Sequence, residues 1–318
     1  MIGLIGRRLG MSLTLLLAVS FVTFLLQSLA PGDVARSILS QGNAFGAVNP
    51  EAYDRMREQL GLDQPLLVQY GRWLGHAVRG DLGTSPISGL SVSSEILHRL
   101  PVTLSLVLLA TAATALIGVG LGILSAVRRG RLGRSMDALS LLGSAVPNFW
   151  FALVLVTLFA VSLPLLPATG YVPFTESPTE WTRSLVLPVA TLAVPGIAVF
   201  AKLTRDAMRD ALGRDFVTAL RANGASEHSI IFRHALRNAA IPVVTVVGLT
   251  FIGLFSGTVF VEQVFAMPGL GGLATQATIQ YDLPMVQGVV VVFTVVVVVV
   301  NLIVDLAYGW LNPKVRTR

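Results

Sequence analysis

The side chains that could carry out chemistry are few in this sequence and lie far apart. The chain has no cysteine and four histidines, at His76, His98, His228 and His234. His228 and His234 are the closest pair, but residues six apart do not share a helix face. We therefore expect neither a metal site nor a catalytic site. The sequence also lacks the G-x-x-x-x-G-K-[ST] pattern, so we expect no P-loop for a nucleotide.

The composition is that of a membrane protein. Hydrophobic residues make up 53% of the 318 residues and charged residues 13%, whereas soluble domains carry about 25% charged residues. Six segments are apolar and long enough to cross a bilayer: residues 9–30, 100–127, 136–163, 184–203, 241–261 and 285–310. Because lipid cannot hydrogen-bond the backbone, each segment is expected to be helical. The predicted fold class is an all-α membrane protein with six transmembrane helices.

The first apolar segment favours a retained helix over a cleaved signal peptide. It is longer than the hydrophobic region of a signal peptide, which spans about 7–15 residues. No clear cleavage site of small residues follows it. We therefore count residues 9–30 as the first transmembrane helix.

The charges predict the orientation of the chain. Most of the 23 basic residues lie before the first span, after the second, between the fourth and fifth, and after the sixth. The positive-inside rule then puts both termini in the cytoplasm. Residues 31–99 become an external insert and residues 205–240 a cytoplasmic region. The whole chain, residues 1–318, is predicted to be a single transmembrane domain.

The external insert contains two amphipathic patterns, over residues 50–60 and 66–78. Tyr70 and Trp73 lie on the apolar stripe of the second pattern. They are interpreted either as anchors in the lipid interface or as part of a docking or gating surface, and the sequence does not separate the two.

Other local signals lie in the spans and the last loop. Gly118, Gly120 and Gly122 predict close helix packing in the second span. Pro147 inside the third span predicts a kink, with Asn148 available to satisfy polar groups in the bundle. Residues 262–284 are interpreted as a Gly-rich loop, and their glycines at 269, 271 and 272 as turn residues.

A polar, amphipathic island over residues 206–244 separates the fourth and fifth spans. Gly213 is expected to end the fourth helix. Asp215 is the predicted N-cap of a short helix that runs to Asn223, with Gly224 at the C′ position and Ser226 capping the next helix. The predicted apolar face of the short helix consists of Phe216, Ala219, Leu220 and Asn223. Such a helix either rests passively on lipid headgroups or serves as a rigid handle for a cytoplasmic partner.

The island resembles the EAA loop of ABC-transporter permeases, in the form found in the dipeptide, oligopeptide and nickel importers. The matching residues are Asp215, Phe216, Ala219, Ala222, Gly224, Ser226, Glu227, residues 233–239 and residues 241–245. Asn223 and Phe216 depart from the usual Lys and Tyr. Further matches cover most of the chain, at residues 29–33, 60–65, 79–85, 264–271, 304–308 and 311–316. The chain is identified as a member of this family, and residues 29–33 with the large first insert resemble its B-type subunit.

The resemblance implies a type I ABC importer permease in a bacterial inner membrane, with the external insert between helices 1 and 2. It implies no enzymatic activity and no cofactor in this chain, since ATP and Mg²⁺ would be bound by partner ATPases. The implied partners are a C-type permease, two ATPase subunits, an external solute-binding protein and membrane lipid, without nucleic acid. Di- and oligopeptides are the expected substrates, while nickel chelates, glutathione and short oligosaccharides remain open.

The resemblance also implies which residues act. The expected ATPase-coupling residues are Phe216, Ala219, Leu220, Ala222, Gly224, Ala225, Glu227, Arg233 and His234. Small side chains there permit close approach to a groove, and Arg233 and His234 would contact either the ATPase or lipid phosphates. Asn148 and Glu262 are the candidates for the translocation path.

Two other classes of function are compatible with the pattern. A secondary transporter or channel would need ionisable residues inside the membrane, and Asp305 is the nearest candidate. A membrane scaffold would use only the external insert. Dependence on separate ATPase subunits distinguishes the importer from both.

The predicted topology can be tested at Ser88 in the external insert. A cysteine placed by Ser88→Cys should react with a membrane-impermeant thiol reagent in intact cells, because the native chain has no cysteine. Labelling only after the cells are opened would contradict the orientation.

Overall fold

The computed structural model describes residues 2–29, 34–41, 49–59, 61–127 and 146–311. Within these ranges the chain is helical and has no β-strand, apart from an isolated antiparallel bridge between Thr84 and Ser91. This confirms the predicted all-α class. The chain forms two compact units, unit 1 (Met1–Pro101 and Pro268–Val298) and unit 2 (Val102–Met267 and Val299–Arg318).

In chain order, the α-helices are α1 Ile2–Leu29, α2 Val34–Gln41, α3 Pro50–Gln59, α4 Leu66–Ala77, α5 Val92–Val127, α6 Asn148–Leu155, α7 Pro178–Leu212, α8 Asp215–Ala222, α9 Glu227–Ser229, α10 Leu236–Val264, α11 Leu270–Ile279 and α12 Leu283–Leu311. A π-helical segment, Val156–Ser162, follows α6, and a second, Ile230–Ala235, joins α9 to α10.

Five helical segments of the described chain are long and apolar enough to cross a membrane. They are Gly10–Leu29, Val92–Val127, Pro178–Leu212, Glu227–Val264 and Leu283–Ala307. The expected third span is described only from residue 146, where Asn148–Ser162 forms a shorter apolar helix. Residues 29–33 and 311–316 of the family resemblance also lie largely outside the described residues, as does the arginine-rich stretch at 128–134.

Two helices begin earlier than their apolar segments. Helix α5 begins at Val92 rather than at residue 100, and α7 begins at Pro178 rather than at residue 184. Ser177 explains the second difference, because its side chain accepts a hydrogen bond from Glu180 N at 3.3 Å and Pro178 occupies the first turn. Hydropathy marks the apolar part of a helix, whereas capping residues mark its end.

The interpretation of residues 262–284 as a loop is wrong. Helix α10 continues to Val264, and α11 occupies Leu270–Ile279. Gly271 and Gly272 are therefore helical, and Gly269 alone of the three glycines is outside the helix, at its N-cap. Leu270 and Leu273 are buried. Tertiary burial of these side chains overrides the low helix propensity of glycine.

The kink expected at Pro147 is also not found. Pro147 precedes α6 as its N-cap, in an extended conformation, and Asn148 is the first helical residue. Proline lacks the amide hydrogen that an interior helical position requires, so it fits before a helix better than within it. Residues 136–145, the start of the predicted third span, lie outside the described residues.

The core of unit 1 joins the start of α5 to α11 and the start of α12. Its buried cluster contains Val92, Ile96, Leu270, Leu273, Ala277, Met285 and Val289. A Cβ at Gly288 would lie 2.5 Å from Val92 Cγ1, so α12 approaches α5 closely at this point. The segment before α5 is also fastened to α12. The Ser85 hydroxyl donates to the Asp282 carboxylate, whose Oδ1 accepts from Met285 N at 3.2 Å and so caps α12.

In unit 2, α5 packs against α7 through two of its three glycines. A Cβ at Gly118 would lie 2.6 Å from Phe200 Cβ, and one at Gly122 would lie 2.5 Å from Thr204 Cβ and 2.8 Å from the Ala201 carbonyl oxygen. A Cβ at Gly120 would meet nothing within 4 Å among the described residues. The expected packing seam therefore involves Gly118 and Gly122 but not Gly120.

This contact predicts opposite effects for the same substitution two residues apart. Gly122→Ala forces a methyl group against backbone and should destabilise the folded chain by about 1–3 kcal/mol. Gly120→Ala is the matched control and should be neutral or stabilising by up to about 1 kcal/mol, since alanine is the better helix former. The measurement is denaturant unfolding of both variants in detergent. Equal stability of the two would contradict the close approach of α5 and α7.

Candidate functional site

The candidate site is the turn from α7 through α8 to α9. Gly213 ends α7, as expected, and its N–H donates to Arg209 O at 3.0 Å. The N-cap of α8 is Arg214 and not Asp215, which is instead the first helical residue. The prediction is one position out. Asp215 still stabilises the helix because its negative charge lies in the first turn, near the positive end of the helix dipole.

The buried face of α8 differs from the predicted stripe. Val217 is fully buried, and Phe216 and Leu220 are partly buried. Ala219 and Asn223, which the stripe includes, are exposed. Ala219 and Ala222 leave an outer surface of small side chains, which a partner could approach closely.

A Schellman motif terminates α8. Gly224 has φ of +77°, a left-handed conformation that favours glycine. The N–H of Gly224 donates to Arg221 O at 3.0 Å, and that of Ala225 donates to Leu220 O at 3.0 Å. These two bonds satisfy carbonyl groups at the end of the helix. The geometry agrees with the C′ position predicted for Gly224.

Ser226 caps the start of the next helix, as expected from the sequence. Its side chain accepts a hydrogen bond from Ser229 N at 3.3 Å. The chain therefore passes from one capped helix to another through Asn223, Gly224 and Ala225. Such a short turn with every end satisfied constrains the direction of α8 relative to α9.

An ion pair bridges the turn. Arg221 Nε lies 2.7 Å from Glu227 Oε1, and Arg221 Nη2 lies 3.2 Å from Glu227 Oε2. The hydrogen bond to the Glu227 carboxylate raises the pKa of Arg221 above its ordinary value. Both side chains are about half exposed, and exposed pairs contribute little to stability. The fork-like geometry instead fixes the position of α8 against α9.

Sequence reasoning missed this ion pair. It assigned Glu227 to the coupling surface but gave Arg221 no role. The sequence does place opposite charges, Arg221 and Glu227, on either side of the helix end predicted at Gly224. Only the turn geometry, however, brings residues six apart into contact.

Arg233 and His234 lie in the π-helical segment between α9 and α10. Arg233 is exposed and His234 is half-buried, while Ile230 and Ala235 of the same segment are buried. The Asn238 side chain donates to His234 O at 2.9 Å, within the widened turn. Short π-helical segments often occur at functional sites.

A small-residue core and a cavity lie beside the turn. The core consists of Ala126, Met208, Ala211, Ala235 and Ala239, from α5, α7, the π-helical segment and α10. The cavity has a volume of about 550 Å³ and is lined by the end of α5, the end of α7 and the Arg221–Glu227 pair.

The two path candidates have different environments. Asn148 is exposed at the first position of α6. Glu262 is 1% exposed near the end of α10, where its Oε1 accepts a hydrogen bond from Thr103 at 2.6 Å. Their assignment to a path remains a prediction.

Known families match the chain along nearly its whole length. Residues 118–317 match the family described as binding-protein-dependent transport system inner membrane component. Residues 1–107 match the N-terminal region of such membrane components. A protein of Brucella abortus (strain 2308) named as a peptide transport system permease protein is 42% identical over 317 residues, covering 99% of both chains. The oligopeptide transport system permease protein AppB of Bacillus subtilis (strain 168) is 36% identical over 314 residues, covering 98% of both.

A solved structure shares the fold. A chain of the MetNI methionine ABC transporter, in an inward-facing conformation, matches with a TM-score of 0.56 and 18% identity. The match covers 68% of this chain and 96% of that chain. The expectations of an ABC permease fold, a multi-pass membrane location and a transport rather than enzymatic role are confirmed by these matches. The chain belongs to the family of binding-protein-dependent transport system inner membrane components.

Proposed function

We propose that this chain is the B-type permease subunit of an ATP-driven importer of di- and oligopeptides. It would form the translocation path with a C-type permease, and an external solute-binding protein would deliver the substrate. Residues 213–228 would couple the path to two cytoplasmic ATPase subunits. ATP and Mg²⁺ would be bound by those subunits and not by this chain.

The observation that carries the proposal is the fastening of α8 at both ends. Gly213 and Arg214 join it to α7, and the Arg221–Glu227 pair joins it to α9. Both neighbours lead into apolar segments long enough to cross a membrane. A force applied to α8 would therefore reach two spans without first bending a flexible loop.

The surface of α8 supports contact with a partner. Ala219 and Ala222 are exposed and small, so the helix backbone can approach a groove closely. Val217 is buried on the opposite side, which would keep α8 attached to its own chain when the partner moves. Arg233 and His234, in the following π-helical segment, would extend the contact or bind lipid phosphates.

In the transport cycle, contacts with the partners would shift the permease between two states, with the path facing outward or facing the cytoplasm. Closure of the ATPase pair on ATP would draw together the α8 helices of the two permeases. The attached spans would move with them and turn the path outward. Release after hydrolysis would let the path face the cytoplasm again.

Peptides are the proposed substrate because both relatives named above are named for peptide transport. Glutathione, nickel chelates and short oligosaccharides are the competing substrates. The external binding protein would largely determine the choice among them.

Gly224→Asp should leave the chain inserted and assembled but reduce peptide uptake and substrate-stimulated ATPase activity by at least about tenfold. An added side chain at φ of +77° strains the turn that holds α8. The measurement is uptake of a radiolabelled tripeptide by proteoliposomes that contain the whole transporter. Competition by unlabelled glutathione, nickel chelate or oligosaccharide, but not by unlabelled peptide, would overturn the proposal that peptides are the substrate.

Gly80→Asp is the matched control for Gly224→Asp. Gly80 has φ of +84° at the end of α4, and at both glycines a Cβ would meet nothing within 4 Å among the described residues. The backbone strain is therefore similar, but Gly80 lies in the external insert. Normal transport by Gly224→Asp, or an equal loss in Gly80→Asp, would contradict the coupling role.

The Arg221–Glu227 pair can be tested by exchanging its charges. Arg221→Glu and Glu227→Arg should each lower uptake several-fold, because like charges would then face each other across the turn. The double variant should recover most of the uptake if the pair acts as an internal clip. Failure of the double variant to recover would show that one of the two side chains contacts the ATPase directly.

A further inference from the structure

A cleft of about 370 Å³ lies within unit 1, on the side of the membrane that the predicted topology places outside. Its walls come from the end of α1, from α4 and from the start of α12. Phe24 and Gln27 contribute from α1, Trp73 from α4, and Pro284 and Gln287 from α12. The coupling turn is in unit 2, so the cleft is separate from the site described above.

Four polar side-chain atoms of the cleft residues have no hydrogen-bond partner among the described residues. They are Nε2 and Oε1 of Gln27, Nε1 of Trp73 and Oε1 of Gln287. Each atom is buried, and Gln287 as a whole is 1% exposed. Buried polar atoms in folded proteins are nearly always hydrogen-bonded, to protein, water or ligand. Three such side chains in the wall of one cleft therefore indicate that something polar occupies it.

The walls of the cleft are held in place by contacts that leave these atoms free. Gln287 Nε2 donates to Ser20 O at 2.8 Å, and the Ser20 hydroxyl lies 2.9 Å from the Tyr70 hydroxyl. The Tyr70 ring stacks on Trp73 with a centroid distance of 6.0 Å. Since α1, α4 and α12 are connected in this way, the polar atoms are preorganised, which lowers the cost of binding.

The chemistry of the free atoms selects a neutral amide. Gln27 Nε2 and Trp73 Nε1 are donors, whereas Gln27 Oε1 and Gln287 Oε1 are acceptors. The charged residues of the cleft already have partners, because Arg72 donates to Gln64 Oε1 at 2.8 Å and His76 lies 3.4 Å from Asp81. An anion would face two carbonyl oxygens, and a cation would face two N–H donors. A peptide group has one N–H and one C=O, so it can pair with both the donors and the acceptors of the cleft.

We propose that this cleft is an outer binding site for the backbone amides of a short peptide, with Gln27, Trp73 and Gln287 as its hydrogen-bonding residues. The aromatic rings of Phe24 and Trp73 supply apolar contact for side chains, as is usual in small-molecule sites. The proposal rests on the proposed peptide transport for the identity of the ligand. It also assigns Trp73 to a binding surface rather than to a lipid anchor.

The test uses a neutral, photoreactive tripeptide, N-acetyl-Ala-photoleucine-Ala-amide, with the whole transporter in nanodiscs. ATP and binding protein are left out, so the labelling does not depend on transport. Mass spectrometry should map saturable adducts to peptides that contain Phe24, Trp73 or Pro284. Uptake is measured separately, so normal peptide uptake without labelling of the cleft would overturn this proposal alone.

Two variants remove polar atoms from the cleft: Gln27→Met nearly preserves the shape of the side chain, and Trp73→Phe keeps an aromatic ring but is smaller. Gln27→Met and Trp73→Phe should each weaken labelling about tenfold, since each leaves part of the peptide group unpaired. Gln27→Met should not lower the melting temperature of the chain, because Gln27 makes no side-chain hydrogen bond to the described residues. Gln276→Met is the matched control on the exposed side of α11 and should label normally.

Three results would overturn the proposal. Labelling that survives both Gln27→Met and Trp73→Phe would show that the peptide binds elsewhere. A lowered melting temperature of Gln27→Met with unchanged labelling would show that the amide holds structural water. Loss of labelling when anionic phospholipid in the nanodisc is increased, at constant peptide, would assign the cleft to a lipid headgroup.

Discussion

The inability of lipid to hydrogen-bond the backbone is the constraint on which the rest of this structure depends. Each apolar segment satisfies its own backbone groups by forming a helix, even where a β-branched run such as residues 295–300 would favour a strand in water. The consequence is a set of long helices, among them α5 and α7, which are rigid because their backbone hydrogen bonds are satisfied within each helix. Motion is therefore expected at helix ends and contacts, and α8 lies at such an end.

Helices in a bilayer gain little from the hydrophobic effect when they associate, so close packing must hold them together. Gly118 and Gly122 bring α5 against the backbone of α7, and α7 leads directly to α8. Below the turn, Ala126, Met208 and Ala239 join α5, α7 and α10 in one small-residue core. A displacement of α8 would therefore act on three packed helices together and not on α7 alone. The turn from α7 to α9 and the Gly118–Gly122 contact belong to one packed arrangement within unit 2.

The parts that the sequence predicted well are those governed by one residue and its neighbours. Gly224 and Ser226 were assignable because a left-handed residue and an N-cap follow local rules. Val217 was not, because periodicity in an eight-residue helix cannot show which side faces the protein. Helix α11 was missed for a similar reason, since burial of Leu270 and Leu273 against distant helices decided its structure. The Arg221–Glu227 pair needed the turn geometry before its two charges could be joined.

Some buried polar side chains are hydrogen-bonded within the protein, whereas others have no hydrogen-bond partner among the described residues. Asp282 caps α12 and accepts from Ser85, and Glu262 accepts from Thr103, so each has a structural use. The side-chain amide of Gln27 and the Nε1 of Trp73 have no hydrogen-bond partner among the described residues, although burying an unpaired polar group is costly. A purely structural position would tolerate an apolar side chain of the same size better than a glutamine. The unpaired polar atoms in the cleft between α1, α4 and α12 are therefore the basis for proposing a bound ligand there.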